Sequence, residues 1–301
     1  MAEHTIANME DFDIISTPER TIIHFSDYGM EGVCRLGKYA YREARKGLPK
    51  HAHEGMMEIC YCEKGVQVYE VNGQRYEIRG GDIFITFPGE PHSTDNYPEE
   101  KGSLYWLLLK ISDGEGFLHH NEADGKIFRK ELMSIPSRHF KGHPSMKKML
   151  DAVFDLYQAT PQKPVYRLQV LNLLTEFVLK LLQYKETNSG QLSTERITGI
   201  RNFIRDNIYE ELSIEQLAKK INMSASHFKS WFKKETGMPP LDYILRARIE
   251  EGKKLLKNPG APQVSDIAFR LNFSSSQYFA TVFRKYTGMS PVDFRKMKLE
   301  K

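Results

Sequence analysis

The sequence predicts an α+β protein of more than one domain: a β domain first, then two helices, then an all-helical domain. Short β-type runs broken by turn residues fill residues 22–111, and a helical spacing of apolar residues begins after about Pro144. The last third repeats itself after about 50 residues, and two copies are too few for a solenoid. A chain of 301 residues is long enough for two domains.

The clearest strand signal is a hairpin in the first third of the chain. Residues 66–71 and 74–78 are β-type runs, and Asn72-Gly73 between them is a favoured two-residue turn. Residues 83–87 form a continuous apolar run that suits a buried strand and ends at Pro88-Gly89. Many short strands at this spacing predict a sandwich or a barrel.

Two amphipathic helices are predicted after the strands. Apolar residues recur at spacings of three and four over residues 146–157 and again over residues 168–182. The second helix is apolar over a wider arc than one core contact needs, so it is either sandwiched within the fold or shared with another subunit. The polar stretch 185–191 contains Gly190 and no period, which indicates a linker.

Composition excludes several classes of protein. Hydrophobic residues make up 40% and charged residues 27%, as in ordinary globular proteins and unlike collagen or disordered chains. The longest apolar run, residues 104–109, is far shorter than the ~20 residues of a membrane span. Three cysteines cannot build a disulfide framework, and the first residues do not read as a secretory signal. We therefore expect a cytoplasmic protein.

Charge is distributed unevenly along the chain. The net charge is +4, but residues 194–301 hold 20 lysines and arginines against 12 acidic residues. The rest of the chain is therefore acidic overall. A basic end joined to an acidic half predicts a polyanionic partner for the basic end only.

The basic end contains an internal duplication. Residues 212–238 resemble residues 264–289. Ala218 aligns with Ala268 at an offset of 50 residues and Phe232 aligns with Phe283 at an offset of 51, so the second copy has one residue inserted between these two positions. Each copy predicts a short helix, a turn with serine at the cap position (Ser224 and Ser274), and a second helix ending at Thr-Gly. A small residue in the first helix, where the second crosses closely, is typical of a helix-turn-helix.

The outer faces of the two second helices carry the candidate DNA contacts. They are small, amide, hydroxyl and cationic residues without carboxylates, which suits a phosphate-lined groove, although a merely solvated face is the alternative. A long helix predicted over residues 241–256 could hold both modules so that they enter adjacent major grooves. The residues are Ser226, Lys229, Ser230 and Lys233 on the first helix, and Ser276, Gln277, Thr281 and Arg284 on the second.

Three histidines and a carboxylate form a second candidate site in the β domain. His51, His53, Glu58 and His92 offer nitrogen and oxygen ligands of the kind that zinc, iron, manganese or nickel accepts. Three interpretations stay open: a metal site, the polar lining of an effector pocket, and a hydrogen-bonded scaffold. Trp106 could stack on a sugar ring, or it could simply belong to the core.

These residues resemble two known patterns. His51-x-His53-x4-Glu58-x6-Gly65 with Pro88-Gly89-x2-His92 is similar to the two cupin motifs, although Pro88-Gly89 lacks the intervening residue of the enzyme pattern. The end of the chain resembles the C-terminal signature of AraC-type transcription regulators, and such regulators often carry a cupin-like barrel. The matching residues are 265–268, 272–273, 277–279, 283–291 and 294–295. Asn272 stands where that family usually has glycine, and asparagine tolerates the left-handed backbone such a turn needs.

The resemblance implies a ligand-responsive regulator rather than an enzyme. In such a protein Ser226, Lys229, Ser230, Ser276, Gln277 and Thr281 face bases, while Lys233 and Arg284 contact phosphates. The effector, a sugar or related small molecule, would meet His51, His53, Glu58, His92 and Trp106, and the first four of these could instead bind a divalent metal. The implied partners are double-stranded DNA, a second copy of the chain and RNA polymerase, with no membrane.

The domain boundaries follow from the same features. We expect a cupin-like effector domain over residues 1–142, a helical dimerisation segment over 143–186, a linker over 187–193 and a DNA-binding domain with two helix-turn-helix modules over 194–301. Two other functions remain as alternatives: a metal-dependent cupin enzyme, and a regulator that senses the metal itself.

Overall fold

The computed structural model describes residues 15–30, 32–95, 97–111, 117–159, 163–184, 191–258 and 260–297. The chain divides into two compact units. The first unit comprises Met1–Ala40, Gly47–Asn96 and Gly102–Asn188. The second comprises Tyr41–Lys46, Tyr97–Lys101 and Ser189–Lys301. Residues 187–190 of the expected linker lie outside the described residues, and residues 191–193, which were expected to belong to the linker, are helical instead.

An antiparallel sheet of eight strands forms the first unit. Its strands follow the order β1-β2-β7-β3-β5-β8, and β4 and β6 also pair with β3. The strands are β1 (Arg20–His24), β2 (Val33–Tyr41), β3 (Met56–Val71), β4 (Gln74–Arg79), β5 (Asp82–Thr86), β6 (His92–Ser93), β7 (Gly102–Lys110) and β8 (His139–Lys141). This sheet and the helical end of the chain confirm the predicted α+β fold class.

The predicted hairpin and buried strand are both present. Val71 pairs with Gln74 across the turn, where Asn72 and Gly73 have φ of 52° and 80°. Positive φ at both central residues is what a tight hairpin turn needs, and asparagine and glycine accept it most readily. All five residues of β5 are buried, as the apolar run predicted.

The described part of the first unit also contains three α-helices: α1 (Glu122–Met133), α2 (Pro144–Ala159) and α3 (Pro164–Tyr184). The last two correspond to the predicted amphipathic helices, and α1 is an addition to them. One side of α3, with Val170 and Phe177, is buried in the core. Leu168, which the apolar spacing had placed on one stripe with Phe177, is 66% exposed because it lies about 180° around the helix from Phe177.

The sheet buries both of its faces. Ile59 lies opposite Leu107, and Cys60 lies opposite Trp106, on the paired strands β3 and β7. Because side chains alternate along a strand, the first pair faces one side and the second pair the other. Ile59 and Leu107 belong to the core that includes α2 and α3. The opposite face holds Glu58 together with Cys60 and Trp106, all of them buried.

Among the described residues, the second unit contains seven α-helices, and one of them contributes to two hydrophobic cores. The helices are α4 (Gln191–Asp206), α5 (Ile214–Lys220), α6 (Ala225–Thr236), α7 (Pro240–Lys257), α8 (Val264–Arg270), α9 (Ser276–Thr287) and α10 (Pro291–Lys296). Helix α7 supplies Ile244 to the core with Phe228 and Phe232, and Ile249 to the core with Phe279 and Phe283. The long helix predicted between the modules therefore packs against both of them. Over the described part of the chain, no helix combines the length and the apolar character that crossing a membrane requires.

Candidate functional site

The first helix-turn-helix consists of α5 and α6. Asn222 in the turn has φ of 56°, and the side chain of Ser224 caps α6 by accepting a hydrogen bond from the backbone N–H of His227 at 3.3 Å. The helix ends at Gly237, whose φ is 75°. A polar N-cap and a left-handed glycine at the end define the length of this helix from its local sequence.

The second helix-turn-helix, formed by α8 and α9, repeats this arrangement with one residue more. Asn272 has φ of 58°, which agrees with the interpretation of asparagine in this turn. The cap is Ser275, which accepts from the N–H of Tyr278 at 3.1 Å, and not Ser274 as the sequence had suggested. The residue inserted in the second copy therefore lies in the turn. When Asn222 is aligned with Asn272, α9 begins one position later than α6 does.

The candidate DNA contacts lie on the outer faces of α6 and α9. Seven of the eight residues are exposed, and Ser276 is half-buried. The Thr281 hydroxyl donates to the backbone oxygen of Gln277 at 3.0 Å, so its proton is already engaged. The exposed residues are Ser226, Lys229, Ser230, Lys233, Gln277, Thr281 and Arg284.

Alignment of the two caps adds two pairs of exposed, equivalent positions that the sequence analysis did not include. With Ser224 placed on Ser275, the exposed His227 corresponds to the exposed Tyr278, and Lys234 corresponds to Lys285. These positions follow directly from the duplication once the inserted residue is located.

The histidine cluster forms where β3 begins, beside the loop that precedes this strand. His51 and His92 form an isolated β-bridge, and their rings lie 4.2 Å apart between centroids. Ligand atoms of His51, His53 and His92 all lie within 4.8 Å of one another. Glu58 Oε2 is 2.9 Å from His92 Nε2 and 3.8 Å from His53 Nε2. The structure thus brings together all four residues of the predicted cluster.

Backbone carbonyls orient two of the imidazoles. His51 Nδ1 is 2.8 Å from the oxygen of Pro49, and His92 Nδ1 is 3.1 Å from the oxygen of Glu90. A carbonyl oxygen only accepts, so each of these contacts places a proton on Nδ1 and turns Nε2 toward the cluster. The ionised Glu58 also only accepts, so a His92 ring that bonds to both the Glu90 oxygen and Glu58 carries protons on both nitrogens.

Glu58 is the anion of this cluster. Burial alone would raise the pKa of Glu58, but the hydrogen bond with His92 and the neighbouring His53 and His51 lower that pKa to about 2. Thr86 also donates to Glu58 Oε2, at 3.4 Å. The cluster therefore pairs an ionised carboxylate with imidazole nitrogens in a buried setting, which suits a polar ligand or a cation.

Trp106 lies on the same face of the sheet as Glu58 but contacts different residues. Its ring lies under the guanidinium of Arg20, 4.4 Å from the ring centroid, and 6.3 Å from the ring of Tyr39. A Cβ at Gly37 would come within 2.0 Å of the indole, so that position has room only for glycine. Among the described residues, the ring contacts of Trp106 do not include the imidazoles of the cluster.

Comparison with known proteins places both sites in recognised domains. A family model described as an AraC-like ligand binding domain matches residues 38–178, which include the histidine cluster. A family model described as a helix-turn-helix domain matches residues 217–297, which include the outer faces of α6 and α9.

Full-length relatives are also similar to this chain. The uncharacterized HTH-type transcriptional regulator YdeC of Bacillus subtilis is 25% identical over 259 residues, 83% of this chain and 87% of that protein. The HTH-type transcriptional activator RhaS of Escherichia coli is 25% identical over 280 residues, 91% of this chain and 97% of that protein. Among solved structures, ToxT of Vibrio cholerae is 12% identical, with a TM-score of 0.34, and the match covers 93% of this chain and 98% of that one.

Proposed function

This chain belongs to the AraC-type transcription regulators, and we propose that a small ligand bound at the histidine cluster controls how its two helix-turn-helix modules engage DNA. The observation that carries the DNA contacts is the pair of capped helices α6 and α9, each with an outer face of hydroxyl and cationic side chains, to which α9 adds the amide of Gln277. For the ligand to act as a signal, it must bind the two regulatory states with different affinity. The function is regulatory rather than enzymatic, as in the relatives.

We assign different tasks to the residues of the two outer faces. Gln277 and Lys229 have the reach to bond base edges in the major groove, where glutamine suits adenine and lysine suits guanine. Ser226, Ser230, Ser276 and Thr281 allow close approach to the bases. Lys233 and Arg284, near the helix ends, contact phosphates, which position the protein without reading sequence.

The DNA assignment can be tested by fluorescence anisotropy with a duplex from the region upstream of the gene. We expect Gln277→Ala to lower the preference for this duplex over a random one by roughly 1–3 kcal/mol. Arg284→Ala should weaken binding to both duplexes and reduce the slope against salt by about 1. Lys126→Ala, which removes an exposed charge from α1, is the control and should bind as the parent does. Equal affinity of the parent for both duplexes would contradict the proposal.

The effector is proposed to be a sugar or a related polyhydroxylated molecule. The support is chemical: the cluster offers a carboxylate acceptor and imidazole groups at one buried place, with Trp106 further along the same face. A panel of monosaccharides screened by thermal shift should contain one that raises the midpoint in the parent protein and not in Glu58→Gln. Ligand-dependent DNA affinity in the parent then identifies it as the signal.

Two further partners complete the proposal. The exposed apolar side of α3, with Val165, Leu168 and Leu179, supports a homodimer that would occupy two DNA sites. RNA polymerase is the partner through which a bound dimer would regulate transcription, and the similarity to RhaS, a transcriptional activator, favours activation.

A metal-sensing regulator is the second candidate. It is favoured by one observation: Nδ1 of His51 and of His92 each donates to a backbone carbonyl, as in metal-binding histidines, and leaves Nε2 toward His53 and Glu58. Three imidazoles and a carboxylate fit zinc, iron(II), manganese or nickel, and these four residues would hold it.

Elemental analysis of the purified protein and of the His51→Ala/His53→Ala variant separates the two candidates. Stoichiometric metal that is lost in the variant, together with DNA affinity that depends on the metal, would establish metal sensing. Metal-free protein that binds DNA with unchanged affinity when zinc, iron(II), manganese or nickel is added would exclude it and leave the organic effector.

A further inference from the structure

We infer that Arg248 is a positioning residue that sets the distance and angle between the two recognition helices, and so the spacing of the two DNA subsites that one chain accepts. This inference rests on the proposed contacts of α6 and α9 with DNA. It assigns a task to a buried cation at the middle of α7, which is not among the side chains proposed to meet bases.

The guanidinium of Arg248 bonds to both modules at once. Nη2 donates to the backbone oxygen of Glu210 at 2.7 Å, and Nε donates to that of Ile208 at 3.3 Å. Nη1 donates to the backbone oxygen of Asn272 at 3.1 Å. The first two oxygens belong to the loop between α4 and α5 in the first module, and the third belongs to the turn between α8 and α9 in the second. Only arginine has a planar fork of donors that reaches three such acceptors together.

A second set of contacts holds the same loop. The Tyr209 hydroxyl donates to Glu251 of α7 at 2.7 Å, and the guanidinium of Arg270 of α8 lies 5.1 Å from the centroid of the Tyr209 ring. The loop of the first module is thus tied to the linking helix and to the first helix of the second module. We call Arg248, Tyr209, Glu251 and Arg270 the module clamp.

The clamp acts where each recognition unit begins. Asn272 lies three residues before Ser275, the cap of α9, so a fixed Asn272 carbonyl fixes the start of that helix. Glu210 lies three residues before Ser213, the cap of α5, which packs against α6. Among the described residues, the two hydrophobic cores that attach each module to its own part of α7 share no residue, so these cores do not by themselves join the modules. The clamp supplies that join, because hydrogen bonds are directional where apolar contacts are not.

Arg248 is also satisfied by carbonyl dipoles instead of a counter-ion. Its side chain is buried, and among the described residues no carboxylate forms an ion pair with it. A purely structural interior position at this place would be filled by an apolar side chain at lower desolvation cost. A cation that donates to three carbonyls from two modules fixes the position of one module relative to the other.

The test uses the full-length protein and the duplex it protects in the upstream region of its gene. One or two base pairs are inserted or removed between the subsites, since each base pair rotates and shifts one groove relative to the other. The parent should lose about tenfold in affinity on such a change. We expect Arg248→Met to bind the native spacing about tenfold more weakly and to lose most of the penalty for altered spacing, while Arg248→Lys falls between them.

Controls separate positioning from folding and from the proposed function. Arg205→Met, at a 73% exposed arginine of α4, should keep the parent profile. If Arg248→Met does not fold, as judged by circular dichroism, Tyr209→Phe and Arg270→Gln release the same clamp in part and should flatten the spacing profile. The inference is overturned if these variants bind more weakly at every spacing but lose as much affinity on a change of spacing as the parent does. A parent protein that protects no duplex overturns the proposed DNA contacts instead.

Discussion

Two residues of the first unit show how a single position constrains the sheet. Gly37 leaves room for the Trp106 indole, since a Cβ there would lie 2.0 Å from the ring. Asp82 opens β5 and receives hydrogen bonds from the N–H of Arg79 at 2.8 Å and from Lys141 Nζ at 3.0 Å, while His139 Nε2 lies 3.0 Å away. The first constraint is steric and the second is electrostatic.

Asp82 predicts a pH dependence of stability. Burial by itself raises the pKa of Asp82, but His139, Lys141 and the Arg79 N–H together bring that pKa below its usual value. A carboxyl whose folded pKa is lowered stabilises the fold above the unfolded pKa, about 3.9, and loses this contribution as pH falls through the lowered value. We expect Asp82→Asn to lower the free energy of unfolding at pH 7 by about 1–3 kcal/mol, with a smaller difference from the parent near pH 3.

Urea unfolding of the first unit measures this effect. Trp106 fluorescence in a Trp231→Phe background reports on the first unit, because the second tryptophan lies in the other one. Asp155→Asn, at an exposed position of α2, is the control and should differ little from the parent. A difference between Asp82→Asn and the parent that stays constant from pH 7 to pH 3 would show that ionisation of Asp82 does not stabilise the sheet.

At the scale of the element, the two helix-turn-helix modules share a single set of local devices. Asn222 and Asn272 take the left-handed backbone in the turn, and Thr236 and Thr287 donate to carbonyls one turn back at the end of the second helix. The repetition of these hydrogen bonds shows that the duplicated sequence encodes the same local structure twice.

The cap of α9 can be identified by mutation. Ser275→Ala removes the acceptor for the N–H of Tyr278 and should cost about 0.5–2 kcal/mol in the stability of the second unit, with weaker DNA binding. Ser274→Ala changes the neighbouring exposed serine and should stay within about 0.5 kcal/mol of the parent. Trp231 fluorescence in a Trp106→Phe background follows the unfolding. Equal losses for both variants would place the cap elsewhere.

At the scale of the whole molecule, α3 leaves apolar side chains at the surface. Leu168 is 66% exposed and Val165 is 50% exposed, three residues apart and so on one side of the helix. Leu179, eleven residues further, is 44% exposed and returns to the same side after about three turns. The opposite side of α3 is buried in the core of the first unit. The wide apolar arc of this helix therefore covers both a buried side and an exposed side.

Substitution of Leu168 tests whether this surface joins two copies. Leu168→Asp should convert a dimer to a monomer without unfolding it, because the side chain is exposed in the single chain. Sedimentation velocity gives the mass, and anisotropy with the upstream duplex should show weaker binding. Gln169→Asp, which introduces the same negative charge at the next exposed position, is the control. A parent protein that sediments as a monomer rules out this interface.

The sequence by itself determined the order of the domains, the hairpin, both amphipathic helices and the duplicated helix-turn-helix, because these depend on local period and turn chemistry. It could not reveal α1, whose buried positions include Gly125 and Arg129 while Ile127 is 61% exposed, so that no apolar period marks it.

Only the tertiary structure decided what residues distant in the chain do together. The approach of His92 to His51 and the bonds of Arg248 to both modules depend on how separate segments meet. The pattern of a single segment carries the preferences of its own backbone, whereas a contact between segments depends on packing that no local spacing encodes.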